Sequence, residues 1–334
     1  MLDCSYRECF SQVVFLIFDS FSVMNNTLSE HQLFLLRVFK AFDAFCTENG
    51  IQYFAWSGTL IGAIRHHGFI PWDDDIDVAM KRDDYDRFIN LRNQVGEGYR
   101  IASYQDGESP YPFAKFFSTE GTVWEYPQFS FIIGPWVDVF PLDKCQNGNK
   151  DLKALERYHS AMWKYRKAVA YSPWSEICRD LLHGKLKAVS IKMVKKIRYS
   201  PFKKCYIKQA MKAEDYLRSL TGNGYGDYSL PLVNEVFPLA WFSKAKRVPF
   251  EDTTILVPEE YDEVLSFMYG DYMKLPPEEK RKGHGFYFIN LKQRLSKEEI
   301  LSQYGNTLAE EHPLSIHTII DELKHRSKGW KSVR

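Results

Sequence analysis

Between Ser57 and Asp77 the chain reads SGTLIGAIRHHGFIPWDDDID. Four aspartates fall within five positions (Asp73, Asp74, Asp75, Asp77), flanked by Ile70, Trp72, Ile76 and Val78. No other stretch constrains the fold as much. An ionised carboxylate drawn into apolar surroundings is costly unless a cation or a set of donors meets it. The chain has 334 residues, 45% of them apolar, so it can bury a large core. Its net charge of +1 does not mark a nucleic-acid binder.

Ile51 to Trp56 reads as a short buried strand. Ser57-Gly58-Thr59 ends it, and Leu60 to Ile64 reads as a helical turn broken at Gly68. A strand, a small-residue turn and a helix start present free backbone N–H groups to an anion. Ile70 to Met80 reads as a second strand. Alternation puts Asp73, Asp75 and Asp77 on one face and leaves Asp74 on the other, solvated or structural. Residues i and i+2 lie roughly 7 Å apart along a strand. Their carboxylates can therefore converge on one metal ion or bridge two. The 1, 3, 5 spacing of these acids also matches a calcium loop, but position 6 is Val78 instead of Gly and position 12 is Asp84 instead of Glu, which excludes it.

Two later stretches supply further charge. Asp138 lies in WVDVFPL, Trp136 to Leu142, a buried-strand pattern. It needs a partner there, either a metal shared with Asp75 and Asp77 or structural hydrogen bonds. Lys115, in PFAKFF, reads either as an edge-strand lysine or as a cation reaching a phosphate. Tyr99 to Tyr104, Phe113 to Phe117 and Thr122 to Glu125 read as strands, and Asp143 as a turn residue. A small-residue turn, an Asp-x-Asp pair and a third Asp suit phosphoryl or nucleotidyl transfer. Carboxylates hold hard divalent ions, Mg²⁺ or Mn²⁺, and Arg65 and Lys115 can stabilise departing charge. A paired-carboxylate hydrolase would leave the Gly-Thr turn and the basic residues idle.

The remainder frames this core. Glu30 to Glu48 reads as a helix with a capping box at Ser29 and Gln32 and Leu35, Leu36, Phe39, Phe42 and Phe45 at helical spacing. Arg82 to Val95 and Leu152 to Tyr171 also read as helices. Cys178 to Lys212 carries eleven Lys and Arg against one acid, Asp180. An apolar stripe, Leu182, Leu186, Val189, Met193 and Ile197, runs through it. This segment, 179–212, fits a peripheral contact with an anionic membrane or a solvated helix with one core face. A last helix starts at Ser296. Residues 1–27 read as an extension. Its apolar run, VVFLIF, is too short to span a bilayer. Six scattered cysteines without a C-x-x-C pair suggest neither zinc nor a disulfide framework.

In SGTLIGAIRHHGFIPWDDDIDVAMKRDDYDRF, Ser57 to Phe88, the chain resembles the LicD family, which is similar to the fukutin group. YPFAKFFSTEGTVWE, WVDVFPLD, VPFEDTTILVP and YGDYMKLPP extend the likeness from about Leu28 to about His284. The resemblance implies an α+β fold with a nucleotidyltransferase-like mixed-sheet core, 28–150, and a largely helical region, 151–334, packed on it. It implies an enzyme that moves a phospho-alcohol, typically phosphocholine, from a CDP-linked donor to a sugar of lipopolysaccharide or teichoic acid. The setting would be cytoplasmic, at the inner face of the membrane, with a lipid-linked acceptor. By position, Asp75 and Asp77 match the metal pair, Asp73 the same acidic cluster, Gly58 and Thr59 beside Ser57 the phosphate-binding turn, and Asp138 the third carboxylate. Nucleotidyl transfer and noncatalytic metal or glycan binding are the competing readings.

Overall fold

The computed structural model describes residues 28–145, 149–170, 174–219, 221–227, 229 and 236–311; the 1–27 extension lies outside them. Helix α1, Glu30–Glu48, starts where the sequence predicts. The Ser29 hydroxyl accepts from Gln32 N and the Gln32 side chain accepts from Ser29 N. Its apolar face, with Leu35, Phe39 and Phe42 almost wholly buried, packs on the sheet. The Phe42 ring meets Tyr53 at 5.1 Å, Phe116 at 5.6 Å and Phe88 at 5.8 Å.

The elements that follow are β1 (Phe54–Ala55), a short helix α2 (Ser57–Ile61) running into a π-helical turn (Gly62–His66), β2 (Asp77–Lys81), α3 (Arg82–Asn90), β3 (Tyr99–Ala102), β4 (Ala114–Ser118), β5 (Thr122–Trp124) and β6 (Trp136–Cys145). Then come α4 (Asn149–Val169), α5 (Trp174–Leu182), α6 (Leu186–Val194), a π-helical turn (Lys195–Tyr199), α7 (Lys203–Arg218), β7 (Gly224–Gly226) and β8 (Phe237–Pro238). The chain finishes with β9 (Ala245–Phe250), β10 (Thr253–Pro258), α8 (Tyr261–Tyr269), β11 (Phe288–Asn290) and α9 (Lys297–Glu311). The architecture is α+β. The main sheet runs β1-β2-β6-β4-β3, with β7 and β8 added beyond β6. Among the described strands only β2 and β6 pair in parallel; the other neighbours in this sheet are antiparallel. The largest core cluster runs from Leu35 to Tyr272 and includes Tyr225, Phe237 and Phe242. The second half therefore shares strands and core with the first.

The structure differs from the sequence expectation at several points. The second strand begins at Asp77, not Ile70. Asp73 N donates to Ile70 O, turning the chain, and β1 is too short to pair with anything before Val78. The acidic stretch is thus an ordered lead-in to β2. The helix expected over Arg82 to Val95 ends at Asn90 and continues as a 3-10 turn. Asp143 is not in a turn: β6 continues to Cys145 and buries it. There it holds Arg82 in a bidentate pair at 2.7 and 2.6 Å. The same guanidinium reaches Glu214 of α7 at 2.9 Å. Burial works against the charge on Arg82, but Asp143 and Glu214 outweigh it and raise its pKa. One cation thereby ties the start of α3 to β6 and to the helical half.

Removing Arg82 strands two buried carboxylates. Arg82→Ala is expected to lower unfolding free energy by about 3–5 kcal/mol, read by urea denaturation. An Arg82→Met/Asp143→Leu double variant is expected to recover part of that loss. A single-variant change under about 1 kcal/mol would mean the network contributes little.

Candidate active site

Three strands bring charge to one row. In the parallel β2–β6 pair Asp77 stands opposite Asp138, and in the β4–β6 pair Lys115 stands opposite Asp138. Directly opposed residues share a sheet face, so the row reads Asp77, Asp138, Lys115. The Lys115 ammonium lies 2.7 Å from Asp138 Oδ1 and 3.5 Å from Glu125 Oε2, and is almost wholly buried. It also sits 4.0 Å from the Trp136 ring centre and 4.5 Å from that of Tyr111, a favourable cation–π setting. The Trp136 indole N–H donates to Asp138 Oδ2 at 3.0 Å. Lys115 is therefore not an edge lysine, since β4 lies between β6 and β3. It is the counter-ion of Asp138.

The acidic lead-in crosses the open end of this row. It is held from behind by the first turn of α1: Gln32 Nε2 donates to Asp73 O at 3.0 Å and His31 Nε2 bonds Asp74 O at 2.9 Å. Asp77 is fixed by its backbone. Its N–H donates to the Thr59 hydroxyl at 2.8 Å, and its carbonyl accepts from Trp56 N at 3.0 Å. Ser57 has a left-handed φ of 47°, uncommon for a residue with a Cβ. A Cβ on Gly58 would come within 2.9 Å of Asp73 Oδ2. The turn and the first acid are thus in direct contact, and a glycine is what allows it.

Ligand atoms of Asp73, Asp74, Asp75 and His284 all lie within 4.8 Å of one another. Asp77 is outside that group and faces Asp138. Asp74 is structural: its carboxylate accepts from His284 N at 3.1 Å and Gly285 N at 2.8 Å. It thereby clamps the segment after α8 across the site. Gly283 fits there only without a side chain, since a Cβ would lie 2.5 Å from Asp74 Oδ2. His284 Nδ1 lies 3.2 Å from Asp74 and 3.5 Å from Asp75. Sequence reasoning read Asp74 as solvated or structural but missed the far end of this clamp, His284 and Gly285, as well as Glu125. The KRKGHG segment lies more than 200 residues from the acids, and only its glycines hinted at a close approach. The Arg65 guanidinium donates to Tyr272 O at 2.6 Å and to the His66 ring at 3.0 Å.

The electrostatics follow from crowding. Burial pushes Asp73 up to about 6. Burial and the neighbouring Asp73 push Asp75 up to about 7. Asp77 is driven well up by burial and by Asp75, Asp138 and Asp73. Burial raises Asp138 to about 7, with Lys115 pulling the other way. Asp74 goes down, because the His284 and Gly285 bonds outweigh its burial. The Asp74 bond raises His284 to about 9. Hard oxygen donors concentrated against mutual repulsion are the donor set a divalent cation relieves. Asp73 and Asp75, with Asp77 alongside, fit Mg²⁺ or Mn²⁺.

Residues 50–174 match the profile of the LicD/FKTN/FKRP nucleotidyltransferase domain. The chain is 34% identical over 273 residues to the lipopolysaccharide cholinephosphotransferase LicD of Haemophilus influenzae, an alignment covering 77% of this chain and 96% of that protein. Shorter matches reach uncharacterised rickettsial proteins. One, from Rickettsia typhi, is 41% identical over 70 residues, 21% of this chain and 23% of that one. Another, from Rickettsia prowazekii, is 44% identical over 71 residues, 21% of this chain and 27% of the other.

Raised carboxyl groups make stability depend on pH. The ordinary aspartate value is 3.8, and the folded values for Asp73, Asp75 and Asp138 are about 6, about 7 and about 7. Over that window the folded state binds more protons than the unfolded state, so stability falls as pH rises. In EDTA, unfolding free energy is expected to decline from about pH 4 to about pH 7. Asp75→Asn is expected to shallow the decline, and Mg²⁺ to do the same for the unsubstituted protein. A flat or rising profile in EDTA would contradict the crowding.

Proposed function

The chain belongs to the LicD family, and on that footing we propose that it transfers a phospho-alcohol, first of all phosphocholine, from a CDP-linked donor to a sugar hydroxyl of a cell-surface glycan such as lipopolysaccharide or teichoic acid. The observation that carries the chemistry is the Asp77–Asp138–Lys115 row beside the Asp73–Asp75 cluster. The acceptor oxygen forms a bond to the donor's alcohol-bearing phosphorus, and the bond from that phosphorus to CMP breaks. Asp73, Asp75 and Asp77 would hold a divalent cation, which when bound would neutralise pyrophosphate charge.

Asp138, raised to about 7, takes the acceptor proton in this reading. A base of that strength suits a neutral medium. Lys115, Glu125 and Trp136 keep its carboxylate aimed. The Ser57-Gly58-Thr59 turn offers backbone donors to the donor phosphates, while Thr59 Oγ1 holds Asp77 in place. Arg65 contributes by fixing the chain at Tyr272 rather than by meeting the leaving group. No helix among the described residues is long and apolar enough to cross a membrane. A lipid-linked acceptor would be met at the cytoplasmic face. Nucleotidyl transfer is the second reading, supported by the nucleotidyltransferase description of the matched family.

Incubation with CDP-choline, Mg²⁺ and lipopolysaccharide extract is expected to release CMP and label the glycan with phosphocholine. EDTA is expected to abolish the reaction. Asp138→Asn is expected to lower kcat by about 10²–10⁴, and Asp75→Ala at least as much. A nucleotide-labelled product would replace phosphocholine transfer with the second reading. Full activity of Asp75→Ala in EDTA would overturn both.

A further inference from the structure

Helices α5 and α6 carry an apolar surface that the other described residues leave open. Leu181 is 54% exposed, Leu182 86%, Leu186 67%, Val194 50% and Ile197 64%. No residue of α6 is buried. Leu186, Val194 and Ile197 are spaced by 8 and 11 residues, which places them on one helical face. Gly184, at φ +68°, makes the turn between the two helices. The tip therefore gathers Leu181, Leu182 and Leu186, with Lys185 and Lys187 exposed beside them. A helix whose apolar stripe the described residues leave uncovered calls for a partner.

Charge indicates which partner. Residues 178–212 hold eleven Lys and Arg and one acid, a net +10 in a chain of net +1, so the remainder carries −9. The one acid, Asp180, is already paired with Lys192 at 2.7 Å, an ion pair that ties α5 to α6. A second copy of this chain meeting the surface face to face would oppose cation to cation. An anionic lipid surface accepts both features at once, leucines at the acyl boundary and lysines among the headgroups.

We propose that the α5–α6 tip docks on an anionic phospholipid surface, with Leu182, Leu186 and Ile197 entering it and the surrounding lysines and arginines meeting the headgroups. The docking is independent of the transfer chemistry, and its test does not read turnover. The full chain is sedimented with phosphatidylcholine vesicles and with vesicles that also contain phosphatidylglycerol. Binding to the second kind alone is expected, weakening about tenfold or more from low to high salt. The exposed-residue variant Leu182→Ser/Leu186→Ser/Ile197→Ser is expected to lose about tenfold in partitioning, and Lys185→Glu/Lys187→Glu a comparable amount. No binding to phosphatidylglycerol vesicles would overturn the proposal. So would unchanged binding of the leucine variant, which would leave only a charged patch. A dimer in solution that this variant dissolves would also overturn it and assign the face to a second copy.

Discussion

Parallel pairing of β2 with β6 sets two carboxylates, Asp77 and Asp138, directly opposite each other. Much of the site is a response to that one juxtaposition. Opposed residues on neighbouring strands lie about 5 Å apart, close enough for two anions to oppose each other strongly where water is scarce. On one side the ammonium of Lys115 meets Asp138 in a buried pair. On the other, Asp73 and Asp75 add charge instead of relieving it. The row is therefore compensated at one end and over-supplied with acid at the other. On the proposed function, that asymmetry suits a site that receives a cation and a polyanionic donor, unlike a buried ion network that is already closed.

The contrast with Arg82 makes the distinction concrete. Asp143, also on β6, is buried as deeply as Asp138, yet its partners complete it: Arg82 is bidentate, and Glu214 shares the same guanidinium. Asp143 and Glu214 in turn hold Arg82 firmly charged. Five residues away, Asp138 has one cation and remains raised toward neutrality. Two aspartates of one strand, both buried, thus differ: one closes an ion network, and the other is the proposed base. The difference is set by which strands and helices lie alongside each.

Much of this was legible in the sequence, and the gaps have physical causes. The Asp-x-Asp pattern, the small-residue turn, Asp138 and the capping box of α1 depend on local spacing, which sequence displays. The extent of β2 did not follow from alternation, because a strand needs a partner, and β6 pairs with it only from Asp77 and β1 only from Val78. The position of Lys115 depended on whether β4 lies at an edge, a property of sheet order. Asp74 was assigned to the opposite face from its neighbours, which the clamp on His284 and Gly285 makes structural in fact. Its partners, though, lie 210 and 211 positions away, and nothing short of the tertiary fold joins them. Arg65 reads as a phosphate ligand by charge alone; the backbone carbonyl of Tyr272 claims it in space.

On the proposed function, the acidic lead-in and the β2–β6 row form one cation and phosphate site. Crystals soaked in Mn²⁺ with a CDP-alcohol test it most directly, through the anomalous signal of the metal. A peak bonded to oxygens of Asp73, Asp75 and Asp77 is expected, with the donor pyrophosphate against it and Asp138 free of the metal. A peak absent under those conditions, or one held away from these carboxylates, would contradict it.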